Sequence, residues 1–205
     1  MSKPAAEPST RARIVEAADA LFYQQGFDKT SFADIADAVQ LSRGNFYYHF
    51  KTKDDILDAV IALRAARTQL MLESWAWAAA TPVARLRRFA EMLIQNRHLI
   101  QRYGCPVGTL CTELIKLDHP ARGAAGMIFV QFRGWLRDQF EAMNHGQDSD
   151  ALAMHLLSRS QGIAAVSSAF HDEAFIKREV DLIEAWLVSL DKNKVVVTRS
   201  RRKSS

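Results

Sequence analysis

Residues 42–53, SRGNFYYHFKTK, gather side chains suited to reading a polyanion. Arg43, Asn45, Tyr47, Tyr48 and His49 would share the exposed face of one short helix. A guanidinium pairs bidentately with guanine and a carboxamide with adenine, while a phenol touches a thymine methyl or donates to phosphate. Lys51 and Lys53 flank the helix end as phosphate contacts. The segment holds three basic residues and no acid. The competing reading is plainer: a core pair of aromatics on ordinary short helices, with tyrosines at the rim.

Such a face needs elements that hold it out. Ile14, Ala17, Ala18, Leu21 and Phe22 recur at helical spacing and predict a first amphipathic helix, stopped by Gly26. A second helix starts at Thr30 or Ser31, with Asp34 at capping-box distance from Ser31, and runs to about Val39. After the turn Gln40-Leu41, Ser42 caps a third helix whose inward residues are Phe46 and Phe50. Thr52 caps a fourth, with Asp54 and Asp55 in its first turn, and that helix can continue to about Ala79. Helix, tight turn, helix over buried aromatics is the pattern of a helix-turn-helix. The second helix would offer its first amides to a phosphate, and the third would fit a major groove about 12 Å wide.

Residues Thr10 to Leu57 resemble the N-terminal domain of the TetR family of bacterial transcriptional repressors. The matching marks are the Ile14…Ala17-Ala18…Leu21-Phe22 face, Gly26-Phe27, Thr30-Ser31, Asp34-Ile35-Ala36 and Leu41-Ser42-Arg43-Gly44. The strongest is Asn45-Phe46-Tyr47-Tyr48-His49-Phe50-Lys51-Thr52-Lys53, which is similar to the family's S-[KR]-G-x-[LF]-Y-x-[YH]-F-x-[ST]-K core. The resemblance implies a homodimer whose paired recognition helices read a near-palindromic operator on double-stranded DNA. It also implies repression relieved by a small-molecule effector. Carried over by position, Ser42, Arg43, Gly44, Asn45, Tyr47 and Tyr48 fall in the DNA-facing block, with Thr30, Ser31 and Lys53 at phosphate-facing sites. His49 departs from the pattern and can equally pack on the fourth helix. Arg11 and Arg13 reach either phosphate or solvent.

Beyond residue 58 the chain reads as further helices, near 82–103, 107–117, 120–144, 150–170 and 173–190. The expected fold is therefore all-α: a three-helix DNA-binding domain over 10–57, then a larger effector-binding and dimerisation domain over 58–190, about nine helices in total. Residues 1–9 and the basic stretch 191–205 are expected to be disordered tails. Trp75, Phe89, Leu93, Asn96, Tyr103, Cys105, Glu113, Met127, Phe132 and Trp135 are candidates to line an effector pocket, although each can equally be plain core. Ile176, Val180, Ile183 and Leu187 have near-heptad spacing. Leu156, Gly162, Ile163, Val166 and Phe170 add apolar and small positions on the preceding helix. Together they predict a helix-pair dimer seam, or else packing within one chain.

Pro106 can open a helix and leave Cys105 near its N-cap, where the helix dipole favours the thiolate. A thiol-sensing repressor acting through Cys105 is thus an alternative, against two cysteines that are simply small buried side chains. A helical interaction protein without DNA contact is a remoter one. An enzyme is disfavoured: there is no glycine-rich phosphate loop, no G-x-S-x-G and no H-E-x-x-H. The histidines at 49, 98, 119, 145, 155 and 171 never fall four apart. No metal or cofactor is expected.

The chain has 205 residues, 48% of them hydrophobic, enough for one or two packed domains. Two cysteines make no disulfide framework, and no signal-like or membrane-spanning run occurs, so a cytoplasmic protein is expected. Twenty-seven Lys and Arg against 23 Asp and Glu give a net charge of +4. Residues 191–205 carry six of the basic residues and one acid, which leaves 21 against 22 elsewhere. The global basicity therefore belongs to the C-terminal stretch, and the case for DNA rests on the local charges around 43–53.

Overall fold

The computed structural model describes residues 9–201. It has ten α-helices and one short 3-10 turn, with no strand among the described residues. No helix among them is long and apolar enough to cross a membrane. The chain forms two compact units, one made of residues up to Arg67 together with Thr109–Met127, the other of Thr68–Gly108 and everything from Ile128 onward.

The first unit begins with α1 (Thr10–Gln25), whose N-cap Ser9 accepts from the Ala12 amide at 3.2 Å. Gly26 ends it at φ 95°, a left-handed conformation that glycine adopts without a Cβ clash. α2 (Phe32–Ala38) starts with a full capping box between Ser31 and Asp34. α3 (Arg43–His49) starts at Ser42, whose hydroxyl accepts from the Asn45 amide. α4 (Lys53–Ala78) follows, its first part in this unit. Ile14, Ala18, Phe22, Ile35, Phe46, Phe50, Ile56 and Leu57 are all buried. Burying one such phenylalanine stabilises by about 1.5–3 kcal/mol. α1 is tied to α4 by Arg64, only 7% exposed, whose Nε donates to Asp19 at 2.6 Å; Arg67 adds ion pairs to Asp19 and Glu16.

The second unit holds the end of α4, α5 (Pro82–Gln95), α6 (Arg97–Tyr103), the start of α7 (Pro106–Lys116), most of α8 (Arg122–Ala142), α9 (Ser149–Phe170) and α10 (Glu173–Arg201). α5 packs chiefly on α10, and α6 on α9. Leu86, Phe89, Ile128, Leu136, Phe140, Leu156, Ile176, Val180, Ile183 and Leu187 form its core.

Three boundaries differ from expectation. The helix expected over 82–103 breaks at Asn96, whose backbone leaves helical values (φ −100°, ψ 10°) and whose Nδ2 turns back to the Met92 carbonyl at 2.9 Å. α10 continues to Arg201, past the expected end at 190. Residues 191–201 contain no Gly or Pro to stop a helix. The first unit also reaches beyond residue 57, to Arg67, and takes in 109–127. The expected tails at 1–8 and 202–205 lie outside the described residues.

Candidate nucleic-acid interface

α3 has two faces, with Phe46 turned inward and most of its other described residues outward. Phe46 is 1% exposed, whereas Tyr48 is 79% and Tyr47 48% exposed, and Gly44 and Asn45 face outward with them. Arg43 opens the helix; its side chain lies outside the description. Phe32, the first residue of α2, fixes the register between the two helices. Its ring meets Phe46 edge-on at 4.9 Å and stacks on Tyr47 at 5.2 Å. Tyr47 is thus braced by α2, while Tyr48 stands well exposed, in edge contact with His49 at 5.2 Å. Lys51 follows the helix and its Nζ donates to the Tyr47 carbonyl at 2.6 Å. Ser31 and Ser42 are both exposed helix caps.

Two expected phosphate contacts face elsewhere. Thr30 is fully buried, its hydroxyl donating to the Gly26 carbonyl at 2.7 Å and accepting from Gln25 at 3.2 Å. A threonine side chain between two helices completes the turn more readily than it reaches outward. Lys53 Nζ donates to the carbonyls of Phe27 and Asp28 at 3.0 and 3.3 Å and sits 4.3 Å from the centre of the Phe27 ring. Arg11 lies over the Phe50 ring at 4.7 Å, and Arg13 donates to the Val39 carbonyl at 3.0 Å. Both arginines brace the module, a role with no trace in their spacing.

Capping carboxylates carry the electrostatics here. The Ser31 backbone amide, then its hydroxyl, hold the Asp34 carboxyl below the ordinary carboxylate range. The Thr52 hydroxyl and amide do the same for Asp55, which accepts from the Thr52 amide at 2.9 Å and from that of Lys51 at 3.2 Å. Neither acid lies on α3.

The effector candidates do not all converge. In the second unit Trp75 meets Trp135 at 5.7 Å and Phe89 meets Phe132 at 5.7 Å, with Leu93 buried and Tyr103 half-buried. Asn96 is exposed and spends its amide on α5. Met127 is 57% exposed and, like Glu113, belongs to the first unit. Glu113 accepts from the backbone amides of Phe27 and Asp28. Cys105 is half-buried, and its sulfur accepts from the Gly108 amide at 3.5 Å; Cys111 is buried. Gln131, one turn before Trp135, was missed by spacing: its Oε1 is buried with no hydrogen-bond partner among the described residues. No group of three His, Cys, Asp or Glu among them could hold a metal.

The expected dimer seam also divides. Leu156, Ile163, Ile176, Val180, Ile183 and Leu187 are at most 3% exposed within a single chain, so they form its own core. Near-heptad spacing marks a helix-packing face and does not say which helix covers it. Gly162, Val166 and Phe170 do face outward, and with Met154 and Ala165 they leave an apolar strip of α9 uncovered; Leu182 of α10 is exposed as well.

Comparison with known proteins matches this arrangement. A model of the bacterial regulatory proteins of the tetR family covers residues 14–60. The HTH-type transcriptional regulator of the lacX 3′ region of Lactococcus lactis subsp. lactis is 29% identical over 138 residues, 66% of this chain and 70% of the relative. The HTH-type transcriptional regulator TtgR of Pseudomonas putida is 42% identical over 52 residues, a quarter of each chain. The crystal structure of a TetR transcriptional regulator from Legionella pneumophila aligns over 88% of this chain and 98% of its own, with a TM-score of 0.79 and 22% identity, a likeness of fold. These relatives are named as transcriptional regulators and not as enzymes. Residues 14–60, the N-terminal helix-turn-helix, are thus those of the tetR family of bacterial regulatory proteins, and the rest of the chain shares the fold of a solved TetR regulator.

Proposed function

We propose that the chain is a transcriptional repressor that binds a near-palindromic operator as a homodimer in the bacterial cytoplasm and is released by a small-molecule effector. The outward face of α3 carries this reading. Asn45, Tyr47 and Tyr48 stand exposed on a helix anchored by a buried Phe46, with no acid between Ser42 and Lys53. Asn45 supplies base-edge contacts with Arg43, Tyr47 and Tyr48, and Ser31, Ser42 and Lys51 supply backbone contacts. Thr30 and Lys53 support the reading indirectly, by holding the turn before α2. The uncovered strip Met154, Gly162, Ala165, Val166 and Phe170 supports a second copy as the partner, since two-fold interfaces are self-complementary.

The effector enters the helical second unit, among Trp75, Phe89, Phe132 and Trp135. An apolar ligand carrying one hydrogen-bond donor suits the Gln131 Oε1, which is buried without a partner among the described residues. Such a ligand prefers a conformation in which the two recognition helices no longer match the ~34 Å repeat of DNA. By linkage, DNA then weakens effector binding by the same factor.

The test begins with duplexes selected by the full-length chain from a random pool. Enrichment of an inverted repeat, bound with steep salt dependence, supports the reading; no enrichment at low salt defeats it. Thiol sensing is the second reading, favoured by the Gly108 amide aimed at the half-buried Cys105 sulfur. Release from the selected duplex on treatment with iodoacetamide, lost in Cys105→Ser, supports it; release that persists in Cys105→Ser removes it.

A further inference from the structure

The turn between α1 and α2 is gripped from a distant part of the chain. Glu113, 86 residues beyond Phe27, uses both carboxylate oxygens: Oε2 accepts from the Phe27 amide and Oε1 from the Asp28 amide, each at 2.9 Å. Gly26 admits this approach, because a Cβ there would lie 2.9 Å from Glu113 Oε1. Lys53 takes the carbonyls of the same two residues, so an anion holds the donors of the turn and a cation its acceptors. His119 closes the fourth side, its ring edge-on to Phe27 at 5.2 Å and its Nε2 3.5 Å from Asp54.

The part-buried Phe27 bond serves local stability, but the second bond is not needed for it. The Asp28 bond is exposed, and water would satisfy that amide without ordering a glutamate side chain. What the carboxylate adds is direction. Phe27 and Asp28 lead through buried Thr30 to the Ser31 cap and to Phe32, and Phe32 stacks on Tyr47 of α3. The chain itself carries the path from Asp28 to Phe32, the Thr30 amide donates back to the Phe27 carbonyl at 3.2 Å, and the Phe32–Tyr47 stack passes it to α3, all within the first unit.

We propose that Glu113 is a positioning residue for DNA recognition: its two-amide clasp on Phe27 and Asp28 sets the path into α2 and thereby the angle at which α3 presents Tyr47 and Asn45. This rests on reading α3 as the recognition helix. Glu113 touches no base or phosphate; it acts through the turn. Glutamine keeps one acceptor but turns N–H groups toward the second amide, so one bond is lost. Alanine loses both, and aspartate keeps the charge on a shorter arm.

The experiment measures affinity of the full-length chain for its selected duplex and for a scrambled duplex. Glu113→Gln lowers affinity for the selected duplex by about tenfold and Glu113→Ala lowers it further, with Glu113→Asp between wild type and Gln. Affinity for the scrambled duplex stays unchanged, which a general loss of structure would not allow. Hydrogen exchange on the wild-type chain adds a readout free of any substitution: the Phe27 and Asp28 amides remain protected in the DNA complex. Equal affinity of Glu113→Gln and wild type, equal losses on both duplexes, or rapid exchange of those two amides in the complex overturns the proposal. A wild-type chain that selects no duplex removes the recognition-helix reading, and this inference with it; losses confined to the variants separate the two.

Discussion

α3 and α9 each leave a face uncovered, and the two faces differ in kind. On α3 the outward groups are a carboxamide and two phenols, with Lys51 just beyond the helix end. On α9 they are chiefly Met154, Val166 and Phe170, interleaved with Gly162 and Ala165, with His155 and Ser158 also exposed near one end. The first face carries hydrogen-bonding groups and suits a partner that is itself polar and charged. The second is apolar over its Gly162–Phe170 part and suits a partner that excludes water there. A regulator that reads a two-fold DNA site needs both, one toward DNA and one toward its copy.

The comparison is broken most forcefully on α9. Replacing Val166 and Phe170 together by glutamate puts charge on this exposed apolar strip, without disturbing any residue of the core. The double variant is expected to run as a monomer by light scattering and to lose about 100-fold or more in affinity for an inverted repeat, because two half-sites no longer bind as one unit. Unchanged mass and affinity would show that this strip is not the dimer contact.

Ile183 on α10 supplies the contrast, since it is fully buried. Ile183→Ala is expected to cost about 2–5 kcal/mol of folding stability by denaturant titration. Its DNA affinity, measured below the unfolding transition, should stay close to wild type. A loss of dimerisation without a loss of stability would return α10 to the seam.

On α3, Asn45→Ala and Tyr48→Ala are each expected to weaken binding to the selected duplex by about 1–3 kcal/mol, with little change on a scrambled one. Both side chains are exposed, so melting temperatures should hold. Uniform weakening across sequences would recast them as phosphate contacts.

The smallest effect is electrostatic and lies beside α3. Asp55 is held below the ordinary carboxylate range by Thr52. A depressed native value means that its capping contribution is complete above the unfolded value, near 4, and is lost as pH falls through the lower native one. Acid titration of Asp55→Asn should therefore show a shallower stability loss below pH ~4 than wild type. Identical curves would remove the cap from the account.

How much of this was legible in the sequence depends on how local each feature is. The helix-turn-helix could be read because Ser31, Ser42 and Thr52 cap helices within a few residues, and because Phe46 and Tyr48 sit on opposite sides of a seven-residue helix. Thr30 turns inward onto Gly26 and Gln25, a choice its residue type does not announce, and Lys53 holds carbonyls 26 and 25 residues back, beyond the reach of local pattern. Glu113, expected at an effector pocket, holds the Phe27 and Asp28 amides instead, and no local pattern could say so, as those partners lie 86 and 85 residues away. On α10 the periodicity of Ile176, Val180, Ile183 and Leu187 marked a buried face correctly. Periodicity carries no label for the surface that buries it, and here that surface is the chain's own α5 and α9. The fold followed from pattern; the occupants of each face required coordinates.

The central claim is that α3 reads DNA while α9 pairs two copies. It is tested most directly by the mass of the complex formed between the full-length chain and the duplex it selects from a random pool. The account predicts an enriched inverted repeat occupied by an even number of chains. A selected duplex carrying one chain, or no sequence enriched at all, contradicts it.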